Sequence, residues 1–121
     1  MKKVIILVNA APYGTATPAE AYRTIQGLAG MGIETTCVLL GDGVFILLKD
    51  QKPEAIDMQN LSEAYKALSE FDVKIYVCKN SMEERGVKED DIDGAHGILS
   101  CDDINKLIDK HHCVLTFTSG G

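Results

Sequence analysis

Four cysteines, at positions 37, 78, 101 and 113, are the side chains in this sequence best suited to covalent chemistry. No two form a Cys-x-x-Cys pair, and none of their spacings is one that structural zinc prefers. They read as free thiols, as expected in a reducing compartment. A thiol acts as a nucleophile through its thiolate, so the charge and access around each cysteine decide what it does. Cys78 follows the run Val73-Lys74-Ile75-Tyr76-Val77 and precedes a helix start. Helix amides and the positive end of the dipole are then placed to hold its thiolate, with Lys79 and Arg85 adding positive charge. A thiolate of that kind takes sulfur from a donor persulfide or attacks a disulfide. The plainer reading of the same residue is a small apolar filler at a strand end.

The other thiols have weaker claims. Cys101 also stands at a helix start, but Asp102 and Asp103 oppose its ionisation, so a structural role is the plainer reading. If its loop met that of Cys78, it would be a second, resolving thiol. Cys37, in mid-strand, and Cys113, opening the last strand, lie among apolar neighbours and read as core. His111-His112-Cys113 resembles a ligand cluster, yet consecutive residues entering a strand point in different directions, and cationic side chains favour a helix C-terminus. No metal site is expected. Neither GxGxxG nor GxxxxGK[ST] occurs, and Gly41-Asp42-Gly43 is too short for a dinucleotide fingerprint, so no cofactor is expected. Asp42 reads as a helix cap, with pocket lining as the alternative. The acids between Glu83 and Asp93 read as solvated surface.

The elements that position these residues alternate along the chain. Val4–Val8 is an aliphatic run of the kind covered on both faces in a parallel sheet. After a loop from Asn9 to Ala16, Thr17-Pro18-Ala19-Glu20 has the form of a capping box and opens a helix running from Pro18 to about Met31. Gly32 ends it, and a strand over Ile33–Leu40 leads through the Gly41-Asp42-Gly43 turn to a short helix, Val44–Leu48. Lys49–Met58 reads as a connecting loop. Asn60 and Glu63 suggest the cap of the next helix, before a strand over Val73–Cys78. Asn80 or Ser81 would cap a short helix, Met82–Arg85, closed by Gly86. Ile98 and Leu99 form a short strand, Ser100 with Asp103 starts a helix reaching Lys110, and Cys113–Phe117 is the last strand. The pattern predicts an α/β domain, a three-layer α/β/α sandwich with a five-stranded, mostly parallel sheet, over residues 1–121. In such sheets reactive groups gather beyond the carboxyl ends of the strands. That rule points to Asn9–Ala16, Gly41–Gly43, Cys78–Ser81, Ser100–Cys101 and the tail after Phe117.

Composition narrows the partners. A formal charge of −6 and a pI near 4.9 oppose a broad phosphate-binding surface, so no direct nucleic acid partner is expected. Hydrophobic residues at 45% and charged residues at 25% are ordinary for a globular domain. The apolar run from Val4 stops at Val8, too short for an export or membrane segment, so a cytoplasmic protein is expected.

Several blocks together resemble the DsrE/DsrF-like superfamily, and within it the YchN-type branch. They are Asn9-Ala10-Ala11-Pro12-Tyr13-Gly14, Gln51-Lys52-Pro53, Val77-Cys78-Lys79, Arg85-Gly86-Val87, Ile92-Asp93-Gly94 and Val114-Leu115-Thr116-Phe117, in the family's order and spanning nearly the whole chain, with only the last four residues beyond the usual family end. The resemblance implies the three-layer fold and assembly into rings, trimers or hexamers. In the sulfur-relay members a cysteine at the end of this strand carries sulfane sulfur as a persulfide between donor and acceptor proteins, and Cys78 matches it. YchN-type relatives can carry a second cysteine three residues on; here that position is Ser81, so a Cys-x-x-Cys dithiol mechanism is absent. The resemblance thus implies a single-thiolate sulfur carrier or sulfurtransferase, with Asn9, Tyr13, Gly41, Asp42, Lys79 and Ser81 around Cys78. Ser81 would cap the helix or hydrogen-bond the thiolate. The alternatives are a non-catalytic ring-forming module that binds a ligand or partner, and a monothiol redox sensor.

Overall fold

The computed structural model describes residues 2–12, 16–48 and 56–118. Its strands are β1 (Lys3–Asn9), β2 (Glu34–Leu39), β3 (Lys74–Cys78), β4 (Gly97–Leu99) and β5 (Cys113–Thr118). Its helices are α1 (Thr17–Gly30), α2 (Ile56–Ala67), α3 (Lys79–Glu84) and α4 (Cys101–Asp109). The strands form one sheet in the order β4-β3-β2-β1-β5, and every pairing is parallel. The sheet is therefore wholly rather than mostly parallel.

Strand order explains the layers. From β1 to β4 each step moves the chain one place toward the same edge, and right-handed crossovers put the intervening segments on one face. The step from β4 to β5 runs back to the opposite edge, and the same handedness puts α4 on the other face. Packing follows this division. Ile6, Val8, Leu39 and Val77 pack in one cluster with Ile25 of α1 and Tyr65 of α2. Ile5, Val38 and Cys78 pack in a second, smaller cluster with Ile104 of α4. Alternation along β3 sends Ile75 and Val77 to the first face and Tyr76 and Cys78 to the second.

Several helix starts differ from the sequence reading. The N-cap of α1 is Ala16, with no side-chain cap, so Thr17 does not form a capping box; Pro18 still stands in the first turn, where its missing N–H costs nothing. Its carbonyl accepts a 2.6 Å hydrogen bond from the buried Tyr65 hydroxyl, which ties α2 to the start of α1. Helix α2 begins at Ile56, inside the segment read as a loop, so Asn60 is an interior residue and not a cap. The rest of that loop, 49–55, lies outside the described residues, as does Tyr13. The expected short helix after the glycine turn is a 3₁₀ segment starting earlier, Gly41–Leu47. Cys113 is exposed rather than core, because β5 is an edge strand paired only with β1.

Cys37 is fully buried on the first face, as expected, and burial pushes its thiol from 9.0 up to about 12. Between those values the native state keeps a proton that the unfolded chain releases, so this group's stability contribution is lost as pH rises from 9 toward 12. The expected loss is about 1.4 kcal/mol per pH unit. Urea unfolding at pH 8 and pH 10 should show wild type losing about 1.4 kcal/mol more than Cys37→Ala. Equal losses would show that Cys37 is not shielded as described.

Candidate functional site

Ligand sites in open parallel sheets form where adjacent strands send their following helices to opposite faces, leaving a crevice at the strands' carboxyl ends. Strands β3 and β4 meet that condition. Helix α3 follows β3 and sends Met82 into the first cluster, whereas α4 follows β4 and sends Ile104 into the second. Cys78 is the last residue of β3, in parallel register with Leu99, and Cys101 is the first residue of α4. The crevice therefore has a thiol on each side.

The register of Cys78 with Leu99 and the bond from the Cys101 N–H to Asn80 bring the two cysteines to the same end of the β3/β4 pair, and repulsion from Cys78 is the main cause pushing the Cys101 thiol upward. Desolvation and the Asp102 and Glu84 carboxylates push it the same way. Two backbone anchors hold the pair. Asn80 Oδ1 accepts the Cys101 N–H at 3.1 Å, joining the starts of α3 and α4. Ser100 Oγ accepts the Asp103 N–H at 3.2 Å, the N-cap the sequence signals.

Access to the two sulfurs is unequal. Cys78 is only 3% exposed, covered by the apolar side of α4, whereas Cys101 is exposed. Cys78 ends its strand just before a helix, as the sequence reading expected, but it is itself the N-cap of α3, which runs from Lys79 rather than Met82. Its side chain faces α4, so neither Asn80 nor Ser81 caps α3. Gly86, with φ at 68°, does close the helix after Arg85.

Of the remaining expected site residues, Asn9, Gly41, Asp42 and Ser81 form a polar network beyond β1, β2 and β3. Ser81 Oγ accepts the Gly41 N–H at 2.9 Å, so its hydroxyl serves the neighbouring loop rather than a thiolate. Asn9 Oδ1 accepts the Asp42 N–H at 3.3 Å. Asp42 is not a helix cap, because the N-cap of the 3₁₀ segment is Leu40; its carboxylate pairs with Arg85 Nε at 3.0 Å. That pairing engages the charge expected to act on Cys78. Lys79 is exposed at the start of α3.

Sequence reasoning missed Asn80 as the brace between the loops and Arg85 as the partner of Asp42. Asn80 carried a signal, an amide two residues beyond a strand-end cysteine, but its acceptor role depends on β3 and β4 being neighbours. At the sheet's amino end, a cavity of about 540 Å³ lies among Lys3, Thr36, Lys74, Tyr76, Lys110 and His111. There His111 Nδ1 donates to the Leu107 carbonyl at 2.7 Å, and His112 Nδ1 accepts the Lys3 N–H at 2.9 Å. The two imidazoles are thus engaged separately. Among the described residues no group of three or more His, Cys, Asp and Glu is arranged to hold a metal.

Comparison with known proteins identifies relatives of the whole fold. The intracellular sulfur oxidation protein DsrF of Allochromatium vinosum is 36% identical over 93 residues, covering 76% of this chain and 68% of that one. A TusC homologue from Aliivibrio fischeri is 30% identical over 122 residues, covering 97% and 100%. The crystal structure of the YchN protein from E. coli superposes with a TM-score of 0.79 at 28% identity, over 97% of this chain and 100% of that one. The DsrE/DsrF-like family model matches residues 2–117, from before β1 to the penultimate residue of β5, and the chain belongs to that family.

Proposed function

We propose that this protein carries sulfane sulfur in an intracellular sulfur relay, holding it on Cys78 as a persulfide between donor and acceptor proteins. The observation that carries the reading is that the β3/β4 register and the Asn80–Cys101 bond bring two cysteines to one crevice. The name of one relative, an intracellular sulfur oxidation protein, supports the same chemistry and the same location. Burial of Cys78 suits a store, because a persulfide's outer sulfur is lost to any thiol that reaches it. We further propose that the carrier works in a ring of like subunits, a trimer or hexamer. On the α4 face, Ile5 is covered while its β5 neighbour Val114 is left 43% exposed, so that layer is incomplete in one chain.

Incubated with a sulfurtransferase and a sulfur source, wild type is expected to gain about 32 Da that survives a short chase with reduced glutathione. Cys78→Ser is expected to retain at least about tenfold less. The 3% exposure of Cys78 favours a second reading, a module that binds a partner without covalent chemistry. No retained gain, or an equal gain in Cys78→Ser, would support that reading over the carrier.

A further inference from the structure

We propose that Cys101 is the port through which sulfur reaches and leaves Cys78, the outer sulfur of a persulfide passing directly between the two side chains. The proposal rests on the reading of Cys78 as the carrier. A carrier must both shield its cargo and exchange it, and one buried thiol meets only the first requirement. A donor protein must bring its own sulfur to bonding distance of the acceptor sulfur, and α4 stands between solvent and Cys78. Cys101 has no such cover, lies two residues beyond Leu99, the register partner of Cys78, and is tied by its backbone N–H to Asn80, two residues beyond Cys78. The Asn80 brace holds the Cys101 backbone in that position, and the Ser100 cap holds the first turn of α4.

The exchange needs no oxidant or reductant beyond a donor persulfide, R–S–SH. The Cys101 thiolate attacks the donor's outer sulfur; the donor S–S bond breaks, R–S⁻ leaves, and Cys101–S–SH forms. The Cys78 thiolate then attacks the outer sulfur of Cys101–S–SH. That S–S bond breaks as Cys78–S–SH forms, and Cys101 leaves as a thiolate that takes up the proton Cys78 released. The net change is Cys101–S–SH + Cys78–SH giving Cys101–SH + Cys78–S–SH, balanced in atoms, charge and oxidation state. Unloading is the reverse.

The test uses the reduced full chain with glutathione persulfide as donor and follows sulfur on each cysteine by peptide mass spectrometry. Cys101→Ser is expected to load Cys78 at least about tenfold more slowly than wild type, because the buried thiol waits on local opening of α4. Cys113→Ser, which removes the exposed thiol on the opposite edge strand, should load Cys78 at the wild-type rate. Cys78→Ser should carry sulfur on Cys101 but lose it to a glutathione chase. Wild-type loading of Cys78 in Cys101→Ser overturns the port and leaves the carrier intact. So does a Cys78–Cys101 disulfide with released sulfide, which would mean that Cys101 attacks the inner sulfur. Absence of loading at Cys78 in wild type removes the carrier reading and the port with it.

Discussion

Gly43→Ala is expected to lower the stability of the protein by about 3 kcal/mol, measured by urea unfolding. A Cβ on Gly43 would overlap the Val8 carbonyl oxygen. That oxygen cannot retreat, because Val8 lies near the end of β1 in the interior of the sheet and its carbonyl accepts the Leu40 N–H at 3.0 Å. Gly43 itself donates to the Leu40 carbonyl at 2.9 Å, so both sides of the overlap are backbone held by hydrogen bonds. Relief would require breaking one of these bonds or moving the 3₁₀ segment off β1. Gly41 differs in kind. Its φ of 56° disfavours a side chain, but a Cβ there meets the Asn9 side chain, which can swing away by giving up its long bond to the Asp42 N–H. Gly41→Ala should therefore cost about 1–2 kcal/mol. A wild-type midpoint for Gly43→Ala would show that the segment rests on β1 more loosely than described.

Native alkylation by iodoacetamide should label Cys101 and Cys113 at least about 100-fold faster than Cys37 and Cys78, since the buried thiols react only through local opening. The two buried thiols should then separate when α4 is weakened. Ile104 is the buried anchor of that helix, 7% exposed and packed in the cluster that holds Cys78. Ile104→Ala is expected to cost about 2–5 kcal/mol and to raise the Cys78 rate at least about tenfold while leaving Cys37 slow. Cys37 lies on the other face, behind α1 and α2, where opening of α4 does not reach it. If Cys78 reacted as fast as Cys101 in wild type, α4 would not be a cover and Cys101 would not be needed as a port.

The architecture was legible because each strand announced itself locally. The aliphatic runs at Val4–Val8 and Val73–Cys78, together with the Ser100 cap, depend on near neighbours in sequence, and they match β1, β3 and the start of α4. The misread starts had a common cause. Thr17 and Asn60 are residues that can cap, but nothing in the sequence says where the first helical hydrogen bond closes. The site was half legible. Cys78 stood out by type and position, whereas its burial depends on α4 crossing to the opposite face, a consequence of strand order that no local pattern records. The convergence of Cys78 and Cys101 depends on the same long-range fact. Cys113 was misjudged for a related reason: its apolar neighbours suit a core strand, and only the sheet order makes β5 an edge.

The most direct measurement locates the sulfur. Wild type is loaded, chased with reduced glutathione, blocked with iodoacetamide and cut with trypsin, which cleaves after Lys79 and Lys88 and so separates Cys78 from Cys101. The expected result is about 32 Da of added mass on the peptide ending at Lys79, retained through the chase. Added mass confined to the Cys101 or Cys113 peptides, or no added mass on any peptide, would contradict carriage by Cys78.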